Sequence, residues 1–196
     1  MTVPEVLEEV LRDRVFYDES AGGMTLSGGE PLLQAEFAAA LLRACRAADL
    51  HTALDTCGFA PRETLLGLAP WVDLFLYDLK AWDDTVHRRH TGVSNTAILE
   101  NLAALAATHD NIWVRVPVIP GINDEAADWE TAANFLASLP GVRQVNLLPY
   151  HALGTHKAVH GTAAAAPGDV APADPMRLES LVRIFRAAGL RTRIGG

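Results

Sequence analysis

The stretch MTLSGGEPLL, residues 24–33, decides the fold because it joins a predicted strand to a predicted helix through a glycine turn. Two consecutive glycines, Gly28 and Gly29, let the backbone approach a ligand closely, and the carboxylate of Glu30 can pair with an ammonium group. Pro31 is favoured at the first position of a helix. A simple tight turn is the alternative interpretation of these residues.

Short apolar runs alternate with helical patterns on both sides of this turn. Strands are predicted at residues 24–26, 51–54, 73–79, 112–119 and 142–148, and helices at 3–15, 34–49, 61–68, 95–108, 125–138 and 174–188. Because strands that alternate with such helices form a parallel sheet, we predict an α/β fold of about five parallel strands, curled toward a barrel or a doubly wound layer. Residues 1–196 are interpreted as one domain with a long loop at 151–173.

Polar residues follow each predicted strand at the end where the strand stops. In α/β sheets and barrels the ligand site lies at the carboxyl ends of the strands. We therefore expect five strand ends to converge on one cluster, which consists of Gly28-Gly29-Glu30, Asp55-Thr56, Asp78 with Lys80, Arg115, and Tyr150-His151.

Composition excludes several classes of function. The chain has 24 acidic and 16 basic residues, so its surface would repel a phosphate backbone, and nucleic-acid binding is not expected. No window approaches the ~20 apolar residues of a membrane span, and no export signal is recognisable at the start. With only two cysteines, Cys45 and Cys57, a disulfide framework is excluded and a cytoplasmic location is predicted.

Five motifs occur in order along the chain. They are GGEP at 28–31, DTCG at 55–58, YDLK at 77–80, WVRVPVIPG at 113–121 and LLPYHALGTHK at 147–157. Together they resemble the radical S-adenosylmethionine (SAM) enzymes that activate glycyl-radical enzymes of the pyruvate formate-lyase type. The resemblance covers about residues 3–188 and implies a partial (β/α) TIM-like barrel with outer helices.

The resemblance implies roles for particular residues. Asp55, Thr56, Asp78 and the Leu79 carbonyl would surround a monovalent cation, since oxygen ligands suit a hard ion. Without the resemblance, the simple interpretation is an edge strand with Arg115 pointing outward, although an arginine that faces inward in so apolar a run needs a partner. The residues that the resemblance places against SAM are Gly28, Gly29, Glu30, Asp78, Lys80, Arg115 and His151.

One family motif is absent. Radical SAM enzymes hold a [4Fe-4S] cluster with a Cys-X3-Cys-X2-Cys loop after their first strand, whereas Cys45 and Cys57 lie in different β/α units and cannot replace it. We therefore expect a truncated core domain that lacks the first strand and cannot bind the cluster. A fragment of a longer protein, a relative that has lost radical chemistry, and one member of a split pair are the three explanations.

The resemblance implies a function for the complete protein. With its cluster it would cleave SAM to a 5′-deoxyadenosyl radical and abstract a glycine hydrogen from a glycyl-radical enzyme, with flavodoxin or ferredoxin as the reductant. The chain alone is expected to be inactive in this chemistry, and its exposed sheet edge could support a dimer. The alternatives are a non-catalytic SAM-binding or scaffold protein and a Schiff-base lyase that uses Lys80.

Overall fold

The computed structural model describes residues 1–150 and 173–195. Its centre is a six-stranded sheet in which neighbouring strands are parallel and follow one another in sequence order. This order confirms the predicted α/β fold, because each strand lies beside the previous one after a crossover. The strands are β1 Gly23–Leu26, β2 His51–Thr56, β3 Leu74–Asp78, β4 Ile112–Val118, β5 Val142–Pro149 and β6 Thr192–Ile194.

Helices connect the strands and cover one face of the sheet. The α-helices are α1 Val3–Arg12, α2 Arg14–Ser20, α3 Ala35–Ala47, α4 Arg62–Leu68, α5 Asp84–Thr91, α6 Thr96–Ala106, α7 Ala126–Ala137 and α8 Pro175–Ala187. Two short 3-10 helices lie at Pro31–Gln34 and Ala69–Trp71. The glycine turn thus leads into a 3-10 turn and then into α3, as the proline after the turn favours.

Three elements differ from the sequence prediction. The predicted helix at 3–15 is two helices, which meet at Asp13. Helix α5 was not predicted, because its sequence DTVHRRHT is almost entirely polar and shows no apolar stripe. Strand β6 was also missed, and the sheet therefore has six strands rather than about five; a three-residue strand is too short to show alternation.

The two faces of the sheet have different chemistry because successive side chains of a strand point to opposite sides. One face packs against the helices with fully buried apolar side chains such as Leu54, Phe75, Val114 and Val145. The other face carries the polar residues of neighbouring strands, which the register sets side by side: Asp78 is paired with Arg115, and Arg115 with Asn146. This second face supplies the functional site.

Within residues 1–150 and 173–195, every helix is too short or too polar to cross a membrane.

Candidate functional site

The glycine turn after β1 forms one side of the site. A side-chain carbon built on Gly28 or Gly29 would meet no atom within 4 Å, so open space lies over the turn. Glu30 caps the N-terminus of the 3-10 helix, and its Oε1 accepts a hydrogen bond of 3.1 Å from the Leu32 amide. The turn is thus held at its helical end while its two glycines face an open volume.

The carboxylate of Glu30 also contacts the end of β2. The Thr56 hydroxyl donates to Oε1 at 2.7 Å, and the backbone amide and thiol of Cys57 both donate to Oε2 at 3.0 Å. Thr56 accepts in turn from the Gly58 amide at 2.9 Å. Because Asn101 on α6 donates to the Gly58 carbonyl at 2.8 Å, this network continues into the helical layer.

A charge cluster occupies the polar face of β2, β3 and β4. Arg115 donates from Nε to Asp78 Oδ1 at 2.9 Å, and its Nη2 lies 2.7 Å from the same oxygen and also contacts Asp55 Oδ1. The second oxygen of Asp55 accepts from the Ser27 hydroxyl at 2.9 Å. The alternative of an outward arginine on an edge strand is wrong, because β4 lies between β3 and β5.

Burial makes the carboxyl group of Asp78 easier to protonate despite the neighbouring arginine. Burial raises the pKa of Asp78, and the nearby Asp55 charge adds to this, while Arg115 and Lys80 act in the opposite direction; the net result is a pKa above the ordinary value. A further positive charge beside Asp78 would lower its pKa. The cluster is therefore suited to a cationic ligand.

Lys80 follows β3 at the same edge, and its position depends on a residue that sequence reasoning missed. The buried Asn123 donates from Nδ2 to the carbonyls of Lys80 and Pro117, each at 2.6 Å, and its Oδ1 accepts from the Ile119 amide at 2.8 Å. The Trp129 indole donates to the Asn123 carbonyl at 2.5 Å. Asn123 thus joins the loops after β3 and β4, and only the turn signal of residues 120–124 pointed to it.

A cavity of about 340 Å³ opens between these groups. Its volume lies within the range of small-molecule sites. Six of the seven residues predicted to contact SAM line it, together with Asp55, Thr56, Cys57, Pro117 and Leu148; the six are Gly28, Gly29, Glu30, Asp78, Lys80 and Arg115. The seventh, His151, lies outside the described residues.

The predicted cation ligands lie beside the same cavity, but the carboxylates among them are already paired with a protein side chain. Asp55 and Asp78 share the Arg115 guanidinium, and the Leu79 amide donates to the Arg115 carbonyl at 2.9 Å. Across the part of the chain that the structure describes, no group of three His, Cys, Asp or Glu side chains could hold a metal ion. The monovalent cation stays a prediction.

The cysteines do not fit an iron-sulfur cluster. Cys45 is fully buried in the core, and Cys57 lines the cavity. Burial and the hydrogen bond to Glu30 raise the pKa of the Cys57 thiol to about 11, whereas a cluster ligand must be a thiolate. The sequence holds no third cysteine, so this chain by itself cannot supply three thiolates from one loop.

These features define a class of protein: a parallel α/β domain with a charged ligand cavity at the carboxyl edge of its strands. The family model of the Radical SAM superfamily matches residues 1–136. The chain therefore belongs to the Radical SAM superfamily, whose activating enzymes use SAM and a [4Fe-4S] cluster.

Relatives of the chain are activating enzymes. It is 38% identical over its whole length to the trans-4-hydroxy-L-proline dehydratase activating enzyme of Clostridioides difficile, of which it covers 65%. It is 47% identical over 92% of its length to the isethionate sulfite-lyase activating enzyme of Nitratidesulfovibrio vulgaris, of which it covers 60%. The chain thus spans less than two thirds of the length of these curated relatives.

A solved structure has the same fold. The crystal structure of a domain of pyruvate-formate lyase-activating enzyme from Bacteroides vulgatus superposes with a TM-score of 0.76 and is 34% identical to the chain. The match covers 89% of this chain and 99% of that domain. The partial TIM-like barrel predicted from the motifs is confirmed.

Proposed function

We propose that this chain forms the SAM-binding part of a glycyl-radical-enzyme activating enzyme. The observation that carries the proposal is the cavity at the carboxyl edge of the sheet, where six of the seven predicted SAM-contacting residues meet. Its position agrees with the general location of ligands in parallel α/β folds.

Charge complementarity supports SAM as the ligand. Glu30, Asp55 and Asp78 contribute three carboxylates to the cavity wall, and Lys80 and Arg115 contribute two cations. SAM carries a sulfonium, an ammonium and a carboxylate, so it is a net cation that brings one anionic group. Three carboxylates and two cations leave the wall with an excess of negative charge, which favours a net cation, and its two cations can pair with the carboxylate of that ligand.

In this proposal different residues of the cavity contact different parts of SAM. The Gly28-Gly29-Glu30 turn forms the wall for the amino-acid end of SAM, and the open space over its glycines admits the ligand to close approach. In this proposal Arg115 contacts the SAM carboxylate or ribose, and Lys80 and Asp78 help to hold SAM. Asp78 also binds a monovalent cation together with Asp55, Thr56 and the Leu79 carbonyl. His151 is proposed as a further SAM contact from the resemblance alone.

Radical chemistry belongs to the whole protein. In the complete protein, a [4Fe-4S] cluster would supply the electron for reductive cleavage of SAM, and a glycine of the partner protein would lose the hydrogen. The two cysteines of this chain do not fit such a cluster, so the role of its own residues is to bind and orient SAM and to exclude water from it.

The proposal also includes a partner protein, a reductant, an oligomeric state, a location and a domain organisation. The partner is a glycyl-radical enzyme, since the relatives are named as activating enzymes of such lyases and dehydratases. A flavodoxin or ferredoxin as reductant, a dimer through the β1 edge and a cytoplasmic location are part of the same proposal. The proposal that the chain forms one core domain is supported by the six strands of the described residues, which lie in one sheet.

The two alternative functions have less support. A Schiff-base lyase needs a desolvated lysine, whereas the Lys80 side chain is exposed. A non-catalytic SAM-binding or scaffold protein shares the cavity, but the relatives at 38% and 47% identity are activating enzymes.

Calorimetric titration of the full chain with SAM and with S-adenosylhomocysteine tests the proposal. The second ligand is a neutral thioether at the position of the sulfonium, so the carboxylate-rich wall should prefer SAM by about tenfold or more, which corresponds to about 1.4 kcal/mol. Asp78→Asn should reduce this preference, and Asp110→Asn is the matched control, since Asp110 is exposed and remote from the cavity.

Failure to bind SAM at millimolar concentration would refute the proposal. Equal affinity for the two ligands would refute the charge argument while leaving a nucleoside site. Borohydride trapping of a carbonyl substrate on Lys80 would support the lyase instead.

A further inference from the structure

The carboxylate of Glu30 has no acceptor capacity left for a ligand. An ionised carboxylate offers about four lone-pair sites on its two oxygens. Oε1 accepts from the Leu32 amide and the Thr56 hydroxyl, and Oε2 accepts from the Cys57 amide and thiol. Four protein donors, at distances between 2.7 and 3.1 Å, therefore fill the four sites.

The same contacts bracket the two glycines of the turn. On one side of Gly28 and Gly29, Ser27 donates to Asp55 at 2.9 Å; on the other side, Glu30 contacts Thr56 and Cys57. Both anchors thus lie at the end of β2. Because the glycines themselves meet nothing within 4 Å on their open side, the flanking residues determine where this part of the backbone lies.

We propose that Glu30 is a positioning residue, which ties the glycine turn to the end of β2 and so shapes the cavity, and that its carboxylate does not contact the ammonium group of the ligand. This inference rests on the proposed SAM site and assigns a different role to one residue of it. The resemblance suggested direct pairing with the ammonium group, which requires a free carboxylate oxygen.

A ligand that lacks the ammonium group distinguishes a positioning role of Glu30 from direct contact with SAM. Affinities are measured for SAM and for an analogue in which hydrogen replaces the α-amino group, with the wild-type chain and with Glu30→Gln. The glutamine is close to the same size, but its NH₂ group would face two protein donors. A positioning role predicts that Glu30→Gln weakens both ligands by the same factor, about tenfold, and leaves their ratio within about twofold of wild type.

Direct contact predicts a different result. Wild type would then prefer SAM over the analogue by tenfold or more through the charged pair, and Glu30→Gln would abolish that preference while affecting the analogue little. This outcome would overturn the inference. Glu179→Gln is the matched control, because Glu179 is exposed on α8, and it should change neither affinity.

Unfolding without ligand tests the positioning contact independently of SAM. Hydrogen bonds to a charged group are among the stronger ones, so Glu30→Gln and Thr56→Val should each lower the Tm by about 5 °C. The double variant should fall by clearly less than the sum, because both changes remove one shared contact. Thr56→Ser retains the hydroxyl and should restore most of the loss in Thr56→Val.

Additive Tm losses, or a Glu30→Gln variant as stable as Glu179→Gln, would overturn the inference even where SAM binds. If wild type binds neither ligand, the proposed function fails, and the unfolding cycle alone decides whether Glu30 is a positioning residue.

Discussion

Gly58 is the position where a single methyl group should be most damaging to the site. It lies in the turn after β2 with φ of 70°, and a side-chain carbon built on it would lie 1.8 Å from the Tyr77 hydroxyl oxygen and 2.3 Å from Cζ of that ring. Tyr77 cannot move aside easily, because it is fully buried and donates to the Ile98 carbonyl at 2.7 Å. Gly58→Ala therefore combines backbone strain with a steric clash.

The size of the effect follows from these two contributions. A non-glycine residue in the left-handed region costs about 1–2 kcal/mol, and overpacking a filled core costs about 1–3 kcal/mol. The free energy of unfolding should thus fall by about 2–5 kcal/mol. For a chain of this length the Tm should fall by roughly 10 °C, as measured by circular dichroism.

Two alanine controls separate the contributions. Gly121 has φ of 72° with nothing within 4 Å of the added carbon, so Gly121→Ala reports the strain alone, about 1–2 kcal/mol. Gly67 is inside α4 and also meets nothing, so Gly67→Ala should stabilise the chain by about 0.5–1 kcal/mol. If Gly58→Ala costs no more than Gly121→Ala, the clash with Tyr77 is not real and the geometry of this turn is wrong.

Three further predictions concern acid stability, thiol reactivity and loop positioning. Burial raises the pKa of Asp73, but hydrogen bonds from Thr52 and the charge of Arg46 outweigh this effect, so the pKa lies below its ordinary value of 3.8. The ionised carboxylate therefore stabilises the fold fully above about pH 4, and this stabilisation is lost as the pH falls through the lowered pKa. The difference in Tm between wild type and Asp73→Asn should therefore shrink below about pH 4, and a difference that is constant down to pH 2 would contradict the assignment. The pKa of Cys57 is about 11, so at pH 8 its thiol should react with iodoacetamide roughly 100-fold more slowly than a free thiol. Mass spectrometry measures the two rates, and equal rates would refute the buried contact between Cys57 and Glu30. Asn123→Ala removes three hydrogen bonds and should lower the free energy of unfolding by about 2–3 kcal/mol and weaken SAM binding through Lys80, whereas unchanged affinity would show that Asn123 is structural only.

Much of the fold was predictable because its strands are local patterns. The apolar runs that became β2 to β5 ended within two residues of their predicted limits, since buried parallel strands read as continuous apolar sequence. Strand β6 and helix α5 lack such a signal. Their conformations depend on neighbours: β6 pairs with β5, and α5 is joined to residues 94 and 95 through Asp84.

The site was predictable as a set of residues but not as a set of contacts. Strand-end residues of a parallel sheet meet at one edge, so the clustering of Asp78, Lys80 and Arg115 follows from topology. Which groups pair within the cluster depends on register and distance. The shared guanidinium between Asp55 and Asp78, the saturated carboxylate of Glu30, and the role of Asn123 across two loops therefore required coordinates.

A crystal structure of this chain grown with saturating SAM would show whether the cavity at the carboxyl edge of the sheet is the SAM site. We expect ligand density at this edge, with the amino-acid end of SAM over Gly28 and Gly29 and its carboxylate within hydrogen-bonding distance of Arg115 or Lys80. Density for SAM on the helical face of the sheet, or an unchanged empty cavity in crystals that hold SAM elsewhere, would contradict it.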